Sequence, residues 1–365
     1  MTPCHGFNGI VEQWKTSTHF LAQLANTDEV PTWTGPAACG NCHASDGLPR
    51  RLASQVGNTN ASGLGPTNVT LGETNYLSAT GIKESTYTGQ TSIAQIGCAT
   101  CHDTGAGTDP HITGGLYVAG SFKLRVPTGP DDQMYLEKSP LVGTITGTPA
   151  GKWGVSNTCI SCHKSRQDVT QYITAATKIS STHWGPHEGP HADIFTGLGG
   201  YSFPAKTYKN STHQSLAGCA SCHMGKAAAN GGMPDHSMRP QLATCQAAGC
   251  HVGQTNFDVS GGQGTIRAAL QELRILLNNA GLLTRSAAAP YAALTTELTD
   301  TNFDLDLTLP GQTLDADHAG AVYNYLLVAR GSASGVHNPN YTKQLLFDSI
   351  SLYKGAAPAA IPDRP

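Results

Sequence analysis

The sequence has few charged residues and lacks long apolar runs. Of its 365 residues, 13 % are charged, which is about half of the usual share for a soluble domain, and the formal net charge is −3. No stretch of about 18 consecutive apolar residues occurs, so the sequence does not predict a membrane span. It also lacks a basic cluster, which excludes binding to nucleic acid through phosphate neutralisation.

The sequence motifs of several large enzyme classes are missing as well. There is no Gly-x-Ser-x-Gly elbow, no phosphate-binding loop and no EF-hand calcium loop. Carboxylates such as Glu188 and Asp193 form no recognisable acid pair, and we assign them structural roles. With 42 glycines and 21 prolines, the chain is expected to contain many turns and irregular connections.

Cysteine and histidine are the residues that the chain does have in number, with 11 and 15 copies. Ten of the cysteines form five pairs, and a histidine directly follows each pair. These groups are Cys39, Cys42 and His43; Cys98, Cys101 and His102; Cys159, Cys162 and His163; Cys219, Cys222 and His223; and Cys245, Cys250 and His251. Two residues separate the cysteines in the first four pairs and four separate them in the fifth. This pattern is typical of the covalent attachment of c-type haem.

The haem interpretation accounts for the histidine as well as for the thiols. Two thiols on one turn of chain can add to the two vinyl groups of one porphyrin, and the next side chain then reaches the iron. A zinc site, a redox dithiol or a disulfide demands nothing of the following residue. Histidine makes up about 4 % of the chain, so its chance occurrence after all five pairs has odds of roughly one in ten million. The sequence therefore predicts five haem c groups.

A sixth haem site is predicted at the start of the chain. Cys4 and His5 resemble the end of an attachment motif in which Met1 stands in the place of the first cysteine. The alternative is a stray N-terminal cysteine. His19 follows closely and is expected to be an axial ligand of this haem. Haem is attached outside the cytoplasm, yet residues 1–30 lack the apolar core of a signal peptide. We therefore expect the numbering to start near a processed end, and Met1 not to be the native residue.

Further histidines are expected to complete the coordination of the irons. Only five methionines offer a thioether in place of a second imidazole. His183, His187 and His191 are spaced by four residues, but two Gly-Pro steps between them exclude a regular helix. We favour the first two as ligands and assign His191 a supporting role beside them. The candidate distal ligands are His19, His111, His183, His187, His213, His236, His318 and His337.

The sequence predicts a mostly irregular fold with short α-helices, a haem-packed core and very little β-structure. Residues 1–258 are expected to form a loop-rich haem-binding body, and residues 259–365 a helical tail that supplies distal histidines and packs on the same unit. Five or six haems on one chain leave little room for an ordinary side-chain core. The porphyrins are therefore expected to provide most of the buried apolar surface.

Three helices are predicted in the tail. The first covers 265–281, where apolar residues recur at helical spacing up to Gly281. The second runs from the region of Asp315 and Asp317 to Gly331. The third starts at Asn338 as N-cap, has a proline at the first helical position, and carries an apolar face that ends at Tyr353.

Residues 205–350 resemble the closing half of multihaem cytochromes of the pentahaem nitrite reductase and octahaem reductase group. The segments that carry this resemblance are Thr212-His213, Cys219 to Met224, Asp235-His236, Cys245 to His251, His318-Ala319-Gly320-Ala321 and Gly335 to Pro339. The resemblance implies that His213, His236, His318 and His337 are distal axial ligands. Those reductases keep one iron open, often with lysine in place of histidine in the attachment motif, and no Cys-x-x-Cys-Lys occurs here.

The predicted function is long-range electron transfer outside the cytoplasm by haems that each have two histidine ligands. A saturated iron exchanges electrons but cannot bind a substrate, so the chain is expected to be an electron carrier and not an enzyme. The expected partners are redox proteins or further copies of the chain, docked into a filament in which one subunit supplies a histidine to its neighbour. Two alternatives stay open, namely a reductase of nitrite, hydroxylamine or tetrathionate, and a periplasmic electron-donor subunit.

Overall fold

A computed structural model gives the fold of most of the second half of the chain and of short segments in the first half. The described residues are 9–20, 40–43, 48, 96–103, 123–126, 133–135, 144–146, 154–165, 167–216, 218–225, 233–246, 250–285 and 302–365. They are mostly helical or irregular with little sheet, as predicted. Four predicted site residues lie outside the described residues: Cys4, His5, Cys39 and His111.

The helices of the first half and the middle of the described chain are short. They are α1 (Ile10–Lys15), α2 (Gly40–His43), α3 (Cys98–Cys101), α4 (Asn157–Ile160), α5 (Val169–Tyr172), α6 (His191–Thr196), α7 (Thr212–Leu216), α8 (Cys219–His223) and α9 (Leu242–Gln246). Three longer helices follow, and they are α10 (Gly262–Asn279), α11 (Ala316–Arg330) and α12 (Pro339–Lys354). Single 3-10 turns lie at Gly154–Ser156, Val259–Gly261 and Phe303–Leu305.

The described strands are two or three residues long. They are β1 (Gln133–Tyr135), β2 (Thr144–Thr146), β3 (Thr177–Lys178), β4 (Leu283–Arg285), β5 (Asp306–Thr308) and β6 (Thr313–Leu314). Strand β3 pairs with β6 in antiparallel register, with Thr177 opposite Leu314. Strand β4 pairs with β5 in the same sense, with Leu283 opposite Thr308. Such short pairs connect loops, and Leu283 of β4 adds one side chain to the buried core.

The chain divides into two compact units. Unit 1 comprises Met1–Met134, Thr146–Cys162 and Ala217–Thr255, and unit 2 comprises Tyr135–Ile145, His163–Leu216 and Asn256–Pro365. Unit 2 therefore joins the C-terminal helices to 163–216, a segment that the sequence-based boundary at 258/259 places in the haem-binding body. That boundary stays a prediction. Within the described residues of either unit, no helix is both long enough and apolar enough to cross a lipid bilayer.

Unit 2 has a hydrophobic core made of side chains. This corrects the expectation that porphyrins would provide most of its buried apolar surface. Helices α10, α11 and α12 pack on one another, and apolar side chains from all three join a single buried cluster. Residues of the loop segment 163–216 enter this cluster too, among them Trp184 and Ile194. The expectation spread the predicted haems evenly over the chain, whereas all three long helices lie in unit 2 and pack through their side chains.

Helices α10 and α11 form where the sequence predicts them. Helix α10 ends one residue before Ala280, and Gly281 follows with φ +69°, a backbone conformation that favours glycine. Helix α11 begins after Asp315, whose carboxylate accepts a hydrogen bond of 2.9 Å from the backbone N–H of His318. Twelve of the 15 residues of α11 are buried, so this helix is surrounded by protein and has no broad polar face.

Helix α12 starts at Pro339 as predicted, but Asn338 does not cap it through its side chain. The Asn338 amide instead bonds to two other segments of unit 2, one at Phe195 and one at Asn210 and Ser211. Its oxygen accepts from the backbone N–H of Ser211 at 2.8 Å, and its nitrogen donates to the side-chain oxygen of Asn210 at 2.8 Å and to the backbone oxygen of Phe195 at 3.3 Å. A buried side-chain amide needs partners, and here tertiary partners compete successfully with the local cap.

Truncation of a side chain in α11 is expected to destabilise unit 2. Leu326 is fully buried between the other helices, so Leu326→Ala removes packed methyl groups and should lower the free energy of unfolding by about 2–5 kcal/mol. The measurement is denaturant unfolding followed by far-ultraviolet circular dichroism. The control is Leu309→Ala, because Leu309 is 42 % exposed and its loss should change the free energy by less than about 0.5 kcal/mol. Equal effects of the two substitutions would contradict the packing described here.

Candidate functional site

Two of the Cys-x-x-Cys-His motifs have the same local structure. Each follows a glycine N-cap, Gly97 or Gly218, with extended backbone. The hydroxyl three residues later, of Thr100 or Ser221, accepts a hydrogen bond from that glycine's backbone N–H, at 3.0 Å and 3.3 Å respectively. The cysteines then occupy one helical turn, where positions three apart lie on the same face. Both thiols of a motif are thereby directed to one side, as attachment of a single porphyrin requires.

The other motifs also place cysteines on short helices. Cys42 lies in α2, Cys159 in α4 and Cys245 in α9. In the stretched fifth motif, the backbone N–H of His251 donates to the carbonyl of Cys245 at 3.0 Å, which places the histidine next to the first cysteine of its motif.

None of the nine described cysteines forms a disulfide; they are Cys42, Cys98, Cys101, Cys159, Cys162, Cys219, Cys222, Cys245 and Cys250. Burial raises the pKa of the Cys101 thiol to about 11, so this thiol is protonated at neutral pH. In unit 1, the proximity of Cys219, the first cysteine of the fourth motif, and burial raise the pKa of Cys159, the first cysteine of the third motif.

The chain around the second motif is fixed by residues 123–126. The backbone of Lys123 accepts from Asp103 at 2.8 Å, and the backbone N–H of Arg125 donates to Cys101 at 2.8 Å. The Arg125 guanidinium Nε also donates to the backbone oxygen of Ala99 at 2.7 Å. These bonds hold both ends of the Cys98–Cys101 turn, and with it the histidine that follows.

His102 of this motif lies opposite His236, a residue 134 positions away in the sequence. Their ring centroids are 6.3 Å apart and the ring planes are inclined by 31°. Metal–imidazole bonds are about 2.0 to 2.1 Å long and the nitrogen lies about 1.1 Å from the ring centre, so two imidazoles on opposite sides of one metal ion have centroids about 6.3 Å apart. The spacing of this pair fits a shared iron.

The turn that carries His236 is held by several hydrogen bonds. The Asp235 carboxylate accepts from the backbone N–H of Ser237 at 2.8 Å and from the Gln241 amide. The His236 backbone N–H donates to the side-chain oxygen of Gln13 at 3.0 Å. Burial lowers the pKa of His236, and the proximity of His102 adds to the shift. The ring is therefore neutral at neutral pH, which is the form that binds a metal.

Five of the predicted ligand histidines have Nδ1 within hydrogen-bond distance of an oxygen. In four of them the partner is a backbone oxygen: His187 pairs with Glu188, His213 with Val336, His223 with Met238, and His236 with Pro234, at 2.9–3.0 Å. In the fifth, His318, the partner is the carboxylate of Asp315, at 2.8 Å. An oxygen acceptor at Nδ1 places the hydrogen there and the lone pair on Nε2, the nitrogen that can then bind iron. Metal-ligating histidines usually have such a partner.

A row of three imidazoles lies in unit 2. The ring of His191 is 5.4 Å from that of His163 and 5.0 Å from that of His337, measured between centroids. The sequence predicts His183 and His187 as ligands and His191 in a supporting role. His191 lies next to His163, the predicted proximal histidine of the third motif, and His183 is exposed. The Gly-Pro steps precede helix α6, which begins at His191. The choice of ligand among these three histidines stays a prediction.

The remaining described candidates lie in varied surroundings. Burial lowers the pKa of His19, and the nearby imidazoles of His223 and His43 add to the shift. His318 is partly exposed and packs edge-on against Tyr353, with centroids 5.1 Å apart. Across the described segments, no group of three or more histidine, cysteine or carboxylate side chains is arranged to hold a bare metal ion. The individual ligand assignments stay predictions.

Two residues near the third motif were not selected as site residues from the sequence. Asp193, which was assigned a structural role, is buried and accepts hydrogen bonds from the backbone N–H and the hydroxyl of Ser165, at 2.6 and 2.7 Å. Arg330, the last residue of α11, is buried beside the loop that carries His187. A single arginine in an otherwise apolar helix gave no sequence signal of a site.

Comparisons with known proteins add little to this geometry. No family model and no curated protein matches the chain. Among solved structures, the crystal structure of outer cell wall cytochrome OcwA superposes with a TM-score of 0.48 at 15 % sequence identity, over 95 % of this chain and 50 % of the OcwA chain. The chain thus spans about half the length of that protein. At this level of similarity the match assigns no function.

Proposed function

We propose that the chain is a multihaem c-type cytochrome that transfers electrons over long distances outside the cytoplasm, with two histidines on each iron. The observation that carries the proposal is the His102–His236 pair, whose 6.3 Å centroid separation suits two ligands of one iron beside the paired thiols of Cys98 and Cys101. The five Cys-His motifs of the sequence extend the same donor set to further sites.

The donor set fits haem better than it fits zinc or a disulfide. The thiols of a motif lie on one turn, none of the described cysteines forms a disulfide, and the following histidine in motif two has an imidazole partner from a distant segment. Haem c, when bound, supplies one-electron redox chemistry at an iron whose potential depends on ligands, burial and hydrogen bonds. The protein contributes the helical turns that present the thiols, the Nδ1 acceptors that orient the imidazoles, and the burial that excludes water.

Close packing of the attachment sites favours a relay of several haems. The backbone N–H of Ala220, between the cysteines of the fourth motif, donates at 3.3 Å to the hydroxyl of Ser156, which lies three residues before Cys159 of the third motif. Two motifs are therefore adjacent in unit 1, as electron transfer between neighbouring haems would need. Export, redox partner proteins and assembly of copies into a filament with histidine ligation between subunits belong to this proposal. A reductase and an electron-donor subunit are the alternatives, and an iron without a second protein ligand would favour the first.

The haem content of the exported protein tests the proposal. The chain, produced in cells with a cytochrome c maturation system, should carry at least five covalently bound haems by intact mass. Replacing Cys98 and Cys101 together by alanine should lower the mass by one haem. Cys4→Ala should do the same if the N-terminal site holds a sixth. A wild-type mass equal to that of the bare polypeptide would contradict the proposal.

A further inference from the structure

One short turn of unit 1 supplies hydrogen-bond acceptors to two predicted iron ligands. Nδ1 of His236 lies 3.0 Å from the backbone oxygen of Pro234, and Nδ1 of His223 lies 2.9 Å from the backbone oxygen of Met238. The two imidazoles belong to different predicted haems, because His223 follows the fourth cysteine pair and His236 faces the histidine of the second motif. The 234–238 turn is therefore shared by two haem sites within one unit.

The 234–238 turn is fixed by its own backbone and by a buried carboxylate. The backbone N–H of Met238 donates to the backbone oxygen of Asp235 at 3.4 Å. Asp235 is 6 % exposed, and its carboxylate accepts from the backbone N–H of Ser237 at 2.8 Å and from the Gln241 amide. A buried carboxylate needs such partners, so its hydrogen bonds hold the backbone on both sides of it.

Met238 has a backbone conformation that residues with a side chain rarely adopt. Its φ is +56°, in the left-handed region that favours glycine. Such a conformation is unfavourable and persists only where the surrounding contacts require it, often at functional sites. In this turn it occurs at the residue whose backbone oxygen pairs with His223.

The N-terminal helix of unit 1 fastens the same turn from outside. The side-chain oxygen of Gln13 in α1 accepts from the backbone N–H of His236 at 3.0 Å. The Arg239 guanidinium donates to the backbone oxygen of Thr16, directly after α1, at 3.0 Å. The acceptors of both imidazoles thus belong to one hydrogen-bonded assembly, and a change in this turn is expected to reach both histidines.

We propose that the 234–238 turn sets the reduction potentials of two haems together, with Asp235 as the positioning residue. The inference rests on the proposed function and extends it to the regulation of two sites. An imidazole whose Nδ1–H is hydrogen-bonded is a stronger donor to iron, and a stronger donor favours the ferric state. The two backbone oxygens and the negative charge of Asp235 therefore lower both potentials, and one segment adjusts two members of the relay in step.

The first test compares the midpoint potentials of Asp235→Ala, Asp235→Asn and Glu12→Gln in the haem-loaded protein. Intact mass establishes the haem number, and redox titration followed in the visible spectrum gives the potentials. Asp235→Ala should keep every haem and shift two haem equivalents to higher potential. Asp235→Asn loses the charge but keeps an oxygen that can accept from Ser237, so it should shift the same two by less. Glu12→Gln removes an equal charge at a side chain that is 53 % exposed and should leave all potentials unchanged.

A second pair of variants changes the turn without changing its charge. Met238→Gly keeps the backbone oxygen and adopts a positive φ freely, so the potentials should stay at their wild-type values. Met238→Val places a β-branched residue at a positive φ, which displaces the turn and should raise the same two potentials. This pair decides the question if Asp235→Ala does not fold.

Three results would overturn the inference and leave the proposed function intact. The first is a set of wild-type potentials in both Asp235→Ala and Met238→Val at full haem number. The second is a shift that is confined to one haem equivalent. The third is an equal shift in Asp235→Ala and Asp235→Asn with none in Met238→Val, which would assign the effect to charge alone. A wild-type chain without bound haem would contradict the proposed function itself.

Discussion

Replacing Arg274 by methionine is expected to lower the free energy of unfolding by about 3–5 kcal/mol. Arg274 of α10 and Asp306 of β5 are both fully buried, and two guanidinium nitrogens lie 2.7 and 2.8 Å from the two carboxylate oxygens. The Tyr325 hydroxyl donates to the same carboxylate. Methionine fills much of the arginine volume but leaves the Asp306 charge buried without its cation, and that loss dominates the effect.

Denaturant unfolding, followed by circular dichroism, measures this loss. The matched control is Arg267→Met on the same helix, because the Arg267 side chain is 39 % exposed and pairs with Asp258 only at 3.8 Å. It should change the free energy by less than about 0.5 kcal/mol. The double variant Arg274→Met with Asp306→Asn should recover part of the stability, because it removes the uncompensated charge. An equal loss of unfolding free energy in Arg274→Met and Arg267→Met would contradict a larger contribution of the buried pair to stability.

Replacing His236 by alanine is expected to open one iron to an external ligand while the number of bound haems stays the same. The thioether bonds of the second motif depend on Cys98 and Cys101, so the mass should fall only by the side-chain difference. The iron opposite His102 would lose its second imidazole. Reduced His236→Ala should then bind carbon monoxide, with a change in the visible spectrum equivalent to about one haem of the total.

The control for this prediction is Ser237→Ala in the same turn. Ser237 offers only a hydroxyl, 3.4 Å from the Arg239 backbone N–H, so its loss should leave the spectrum of the reduced protein unchanged by carbon monoxide. An absence of any carbon monoxide effect in His236→Ala would refute the pairing of His102 with His236. It would leave the haem attachment itself in place.

Local sequence patterns were sufficient to predict the elements whose structure depends on neighbouring residues. The start of α11 follows from the Asp315 cap, the end of α10 from Gly281, and the attachment turns from the cysteine spacing. Asn338 shows the limit of such patterns, since its side chain takes tertiary partners in place of the local cap.

Features that depend on distant segments were not predictable from spacing. The approach of His236 to His102 needs two segments separated by more than a hundred residues, and no local pattern encodes their meeting. The approach of His191 to His163 likewise depends on how the Gly-Pro loop folds, which the four-residue spacing of His183, His187 and His191 does not encode. The side-chain core around α11 was not expected, because the number of predicted haems was divided evenly over the whole chain, and the sequence does not show that unit 2 has a core of its own.

The claim that every iron has two protein ligands is tested most directly by adding carbon monoxide to the reduced wild-type protein. The measurement uses the haem-loaded chain, with its haem number first established by intact mass. The proposed bis-histidine cytochrome predicts five or more haems and no change in the visible spectrum on addition of the gas. A shift equivalent to one or more haems would contradict this claim, because it would reveal an open iron of the kind that a reductase requires.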